Sequence, residues 1–208
     1  KGGYYASHIR NEANHIIPAL KEIIRIGREA QIPVHVSHLK IAGKKNWALR
    51  ETVVEKLETA RAEGVDISCD VYPYFHSCTT ILALLPPWSL EGGMTSLMPR
   101  LKNPRQRERI IDGIKDGIAG WENMIDHTGL DKIVVSSVQG SQRKDLEGKS
   151  IAQIAADAQI EPLQCLLNLI EAEMGTVSII TESMNEETMI NFSQLIEDYP
   201  EISELDIN

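Results

Sequence analysis

Two histidines, His8 and His38, stand thirty residues apart, each closing a short apolar run, with a long amphipathic stretch between them. About thirty residues is the length of one strand–helix–strand unit. Both histidines would then leave neighbouring parallel strands at the same end. In a β/α barrel that end carries the active site. Neutral imidazole is the commonest metal ligand, so two converging there suggest a metal hydrolase. The alternative for either ring is a partly buried histidine satisfied by backbone groups.

The periodicity around these residues supports that layout. Residues 3–8 read as a strand. Residues 12–30 read as a helix with Ile16, Ile17, Leu20, Ile23, Ile24 and Gly27 near one face. Pro33 starts a second strand, on which Val34, Val36 and His38 would share a face. Residues 47–63 follow as a helix striped by Val53, Val54, Leu57 and Ala60, with Gly64 as its C-terminal cap. Val65 to Val71 is a third strand, stopped by Pro73. Residues 1–73 therefore form strand–helix–strand–helix–strand units with a parallel sheet. Beyond Pro73 the rhythm breaks: 74–103 read as irregular, with Pro86-Pro87, Gly92-Gly93 and Pro99. Helices are expected at 104–117, 150–158, 161–174 and Glu186 to Ile196, and short strands at Lys132 to Val138 and Thr176 to Thr181.

The chain has 208 residues, is 42% apolar and 25% charged, and carries a net charge of −9. That balance argues against nucleic acid and against an anionic membrane surface as partners. No apolar run approaches the roughly 18–20 residues that span a bilayer, and no signal peptide is visible. Cys69, Cys78 and Cys165 form neither a CxxC pair nor a disulfide framework, so the expected setting is the cytoplasm. The start at Lys1-Gly2-Gly3, just ahead of a strand, reads as a piece of a longer protein.

Other polar residues gather near the two histidines. His35, three residues before His38, would point to the opposite strand face and reads as structural. Lys40 would project beside His38 if the strand continued, where it could meet a carboxylate or carbonyl oxygen, or simply be solvated. Arg10 bears the same relation to His8. Asp70 ends the third strand and could serve as ligand, base or turn cap. Ser77, Thr79 and Thr80 follow in a polar loop, where hydroxyls could hold a substrate carboxylate or bond nearby backbone. His76 reads as exposed and Cys69 as core; Cys78 has no evident partner. There is no GxSxG, no P-loop and no Rossmann fingerprint.

Several stretches occur together in order: Ala6-Ser7-His8-Ile9-Arg10-Asn11-Glu12, Ser37-His38-Leu39-Lys40-Ile41-Ala42-Gly43-Lys44, Asp70-Val71-Tyr72-Pro73-Tyr74 and Leu84-Leu85-Pro86-Pro87-Trp88. As a set they resemble the D-aminoacylase (N-acyl-D-amino-acid deacylase) family of the amidohydrolase superfamily, over roughly residues 1–188. The resemblance implies an α/β fold: part of a zinc-dependent, TIM-type hydrolase barrel with an inserted, mainly helical subdomain. It implies His8 and His38 as metal ligands after two successive barrel strands, Lys40 as an active-site residue touching substrate, and Ser77 as a hydroxyl holding the substrate carboxylate. The implied reaction is hydrolysis of the amide of an N-acyl-D-amino acid. A cyclic-amide hydrolase of the same superfamily, or a non-catalytic chain with this fold, are the alternatives.

The departures from that pattern are specific. The family's first-strand His-x-His has no match here, no cysteine precedes His8, and nothing after 188 resembles a last strand with a catalytic aspartate. The expected organisation is barrel units at 1–73, an inserted subdomain and lid at 74–188, and an atypical tail at 189–208. The tail, Leu195 to Asn208, resembles a segment of ATP-grasp acyl-CoA synthetases in which Asp206 and Asn208 would match magnesium-binding positions. A barrel lacking strands exposes sheet edges, so self-association or completion by another chain is expected.

Overall fold

The structure is a computed structural model that describes residues 2–72 and 74–184. The expected helix at 186–196 and the tail at 189–208, with Asp206 and Asn208, lie outside the described residues. The chain divides into two compact units. One holds the residues up to Phe75 and is rejoined by the chain at Ser183; the other is His76–Glu182.

The first unit is a parallel three-stranded sheet of β1 (Tyr5–Ser7), β2 (Val34–Val36) and β3 (Ile67–Cys69), in that order. Tyr5, Ala6 and Ser7 stand opposite Val34, His35 and Val36, which stand opposite Ile67, Ser68 and Cys69. Helices α1 (Ile16–Ala30) and α2 (Arg50–Ala62) connect the strands. Val34, Val36, Ile67 and Cys69 bury their side chains with Ile16, Leu20, Ile23 and Ile24 of α1 and Val53 and Leu57 of α2. Gly27 lets α1 lie close to the sheet: a Cβ there would stand 3.0 Å from Val65 Cγ1 and 3.1 Å from Val34 Cγ1. The alternate sheet positions, His35 and Ser68, are not buried.

Two boundaries differ from the sequence reading, and each has a local cause. Helix α1 starts at Ile16 rather than near 12. Pro18 has no N–H to bond back to residue 14, so it fits only in a first helical turn. Residues 11–15 instead form a lead-in turn, in which Asn11 Oδ1 accepts the N–H groups of Ala13 and His15, each at 2.9 Å. Strand β2 ends at Val36, so His38 does not continue it. His38 adopts φ +42°, a left-handed conformation uncommon outside glycine.

The second unit is built on an antiparallel sheet of β4 (His76–Thr80), β5 (Ile133–Ser137) and β6 (Ser178–Glu182), in the order β4-β6-β5. Five helices accompany it: α3 (Gly93–Lys102), α4 (Pro104–Asp116), α5 (Met124–Thr128), α6 (Ile151–Ala158) and α7 (Pro162–Ala172). Helices hold most of the unit's ordered residues, and its three strands form one small sheet. The stretch 74–103 is not irregular: it holds β4, two 3-10 turns and α3. Its breakers sit mostly at element boundaries. Pro87 opens a 3-10 turn, and Gly92 takes φ +81° just before α3, where a Cβ would collide with Ser96. Ser150 caps α6 with a reciprocal capping box involving Gln153. Ile81, Leu84, Leu97, Ile110, Ile133, Leu166 and Ile179 lie in this unit's core. Among the described residues, no helix is long and apolar enough to cross a membrane.

Candidate metal centre

His8 follows β1 directly, and His38 lies two residues beyond β2. The ladder between these strands runs one step further, with the Ser37 N–H donating to the Ser7 carbonyl at 3.0 Å. That bond brings the two following turns alongside each other, and the imidazole centroids are 4.9 Å apart. The lead-in turn before α1 carries Glu12 back toward them. Glu12 Oε1 lies 3.2 Å from His8 Nδ1, 3.1 Å from His38 Nδ1 and 2.6 Å from Lys40 Nζ.

Three nitrogens therefore surround one carboxylate oxygen. Glu12 is 6% exposed and Lys40 3%, so this is a buried ion pair. Burial alone pushes the Glu12 carboxyl up. Hydrogen bonds from His38 and His8 and the charge on Lys40 outweigh it and hold the carboxyl at about 2. The Lys40 ammonium also lies 2.9 Å from His38 Nδ1. Tyr72 flanks the cluster, its ring 5.3 Å from Lys40 Nζ and 6.5 Å from the His38 ring.

His8, Glu12 and His38 form the donor group, among the described residues, that could hold a metal ion, with all three ligand atoms within 4.8 Å of one another. Two imidazoles and a carboxylate are ligands that zinc accepts. Ligands bound at about 2.1 Å in a tetrahedron stand about 3.4 Å apart, close to the 3.1 and 3.2 Å separations from Glu12 Oε1. Positive charge already rests there in the form of the Lys40 ammonium, between Glu12 and His38. The three donors fit a divalent cation in ligand type and spacing, and Lys40, which now neutralises Glu12, would have to turn away from the carboxylate to admit one.

The other sequence candidates separate clearly. Lys40 does not project from an extended strand: it is turned inward onto Glu12 and His38. Arg10 is exposed and pairs with Glu22 at 2.6 Å. His35 points to the sheet face opposite the buried valines and bonds Ser68 and Asp70. Asp70 accepts the His38 backbone N–H at 2.9 Å and so caps that turn. Ser77 lies in the second unit, on β4, opposite Thr181 of β6. His76 and Cys78 are exposed, and Cys69 is buried. Glu12 was not singled out by the sequence reading. Its i,i+4 relation to His8 was the available signal, hidden because 12–30 read as one helix.

No family model matches the chain. Over 80 residues it is 42% identical to a D-aminoacylase of Alcaligenes xylosoxydans xylosoxydans, a match covering 38% of this chain and 16% of that protein. An N-acyl-D-aspartate deacylase of the same organism is 42% identical over 73 residues, covering 35% of this chain and 15% of that one. Among solved structures, the zinc- and phosphonate-bound N-acyl-D-glutamate deacylase of Bordetella bronchiseptica superposes with a TM-score of 0.62 at 21% identity, over 91% of this chain and 30% of that one. That likeness is one of fold. A D-aminoacylase described as defining a subset of amidohydrolases superposes with a TM-score of 0.57 at 26% identity, over 90% and 29%. The chain thus spans about a sixth of the curated relatives it matches and less than a third of the similar structures. Over part of its sequence and in its fold, the chain is similar to D-aminoacylases.

Proposed function

We propose that this chain contributes part of the metal site of a zinc-dependent hydrolase acting on N-acyl-D-amino acids. The observation that carries the reading is the convergence of His8, Glu12 and His38, in a chain similar over part of its sequence to a D-aminoacylase. The parallel units of residues up to 73 are read as consecutive members of a β/α barrel, and the segment after them as an inserted subdomain. His8, Glu12 and His38 would hold the zinc, which when bound would supply Lewis-acid chemistry for amide hydrolysis.

The chain's own groups would do the rest. His8 and His38 supply neutral imidazole nitrogens. Glu12 remains ionised and holds positive charge beside them. Lys40 is the cation available for a substrate oxygen once its pairing with Glu12 is remade. The first-strand histidines, the early cysteine and the last-strand aspartate of the family have no counterpart in this sequence, so the proposal covers part of the ligand set.

The test is zinc competition against a chromogenic chelator. The chain should take up zinc, and His8→Ala and His38→Ala should each weaken uptake strongly. Uptake unchanged by both substitutions refutes the site. In a protein that extends this chain to the full family length, His38→Ala should remove most hydrolysis of N-acyl-D-amino acids.

A further inference from the structure

Asp70 is bound in a way the metal reading does not use. Its Oδ1 accepts the His38 N–H at 2.9 Å and lies 2.7 Å from His35 Nε2. His35 Nδ1 lies 2.8 Å from Ser68 Oγ. One set of proton positions satisfies the whole chain with a neutral imidazole: Ser68 O–H donates to His35 Nδ1, His35 Nε2–H donates to Asp70, and the His38 N–H donates to the same carboxylate oxygen. The sheet enforces this arrangement. His35 and Ser68 are direct cross-strand partners, and Asp70, two residues beyond Ser68, returns to the same side.

The backbone of His38 explains what the network does. A non-glycine residue in the left-handed region is strained and persists where its surroundings hold it. That conformation turns the His38 ring toward His8 and Glu12. The main chain of residue 70 contributes to holding the turn: Leu39 N–H donates to the Asp70 carbonyl at 2.8 Å, and Asp70 N–H to the Val36 carbonyl at 3.3 Å. Any residue but proline at 70 can make those two bonds. The third, to the N–H of His38 itself, needs the Asp70 side chain.

We propose that Asp70, oriented by His35 and Ser68, is a positioning residue that clamps the strained His38 turn and so presents the His38 imidazole to a metal ion. This rests on the metal site proposed above and names the residues that set the direction of one of its ligands. Partners behind a ligating histidine typically matter by about 10–100-fold in metal affinity. Here the support runs through the ligand's backbone rather than its ring.

The experiment compares Asp70→Ala, Asp70→Asn and His35→Ala in the 208-residue chain, with far-UV circular dichroism confirming the fold. Asparagine keeps an oxygen acceptor where alanine has none. In metal-free chain, hydrogen exchange at the His38 amide should accelerate by about 10-fold or more in Asp70→Ala, as the side-chain acceptor is lost, and stay near wild type in Asp70→Asn. Zinc affinity should fall by about 10–100-fold in Asp70→Ala, recover in Asp70→Asn, and fall by a smaller factor in His35→Ala. The visible spectrum of the cobalt-substituted chain should shift in Asp70→Ala and return in Asp70→Asn. If Asp70→Ala does not fold, His35→Ala decides alone, and an unchanged zinc affinity there overturns the pair's role. Equal amide exchange and equal zinc affinity in Asp70→Ala and wild type overturn the clamp while leaving the metal site standing. A wild-type chain that takes up no zinc overturns both.

Discussion

Replacing Glu12 by alanine removes the carboxylate around which His8, His38 and Lys40 gather. The Lys40 side chain is 4% exposed and the Glu12 side chain 8%. Without Glu12, an ammonium is left buried with no counter-charge from that residue. Deleting one partner of a buried ion pair costs about 3–5 kcal/mol. The carboxyl itself gives a second route to the magnitude. A fall from 4.5 to about 2 corresponds to about 3 kcal/mol, at roughly 1.4 kcal/mol per tenfold change in proton affinity. Because the native carboxyl binds protons more weakly than the unfolded one, its contribution is fully present above about pH 4.5 and is lost as pH falls through the native value near 2. In urea titrations of the metal-free chain, Glu12→Ala should therefore lose about 3 kcal/mol at neutral pH. The gap to wild type should close between about pH 5 and pH 2. The double variant Glu12→Gln with Lys40→Met should recover most of the loss, because both buried charges are then gone. A single variant within about 1 kcal/mol of wild type, or a gap that persists on acidification, would refute the reasoning.

Three further outcomes follow from the packing and the site. Gly27→Ala should destabilise the first unit: overpacking against Val34 and Val65 costs about 1–3 kcal/mol, while the helix propensity of alanine returns about 1 kcal/mol, and a raised melting temperature would show that α1 can lift from the sheet freely. The isolated chain, loaded with zinc, should hydrolyse N-acyl-D-amino acids little or not at all; robust turnover would mean that the ligand set is misplaced. The sheet edge at β1, with Tyr4 and Tyr5 exposed at 70% and 37%, should favour self-association, so sedimentation over a concentration series should show growing assemblies, and a stable monomer throughout would contradict it.

The parallel units were legible in the chain's local pattern. Apolar spacing marked α1 and α2, alternation placed His35 opposite the buried Val34 and Val36, and the thirty-residue interval put His8 and His38 at matching strand ends. These are properties of short windows, where periodicity and the chemistry of single residues govern. Even the position of Pro18, which sets the start of α1, was readable there in principle. Strand β4 was harder to see, because His76-Ser-Cys-Thr-Thr has little apolar alternation and becomes a strand by pairing with β6, about a hundred residues later. The site depended on the tertiary structure for the same reason. Glu12 enters it because Asn11 folds the chain before α1, and Lys40 turns inward because β2 stops at Val36. Asp70 meets the His38 amide across thirty-two residues of sequence. Each of these is a hydrogen bond or ion pair between groups whose proximity is created by the packed sheet, and no local pattern in the chain encodes that proximity.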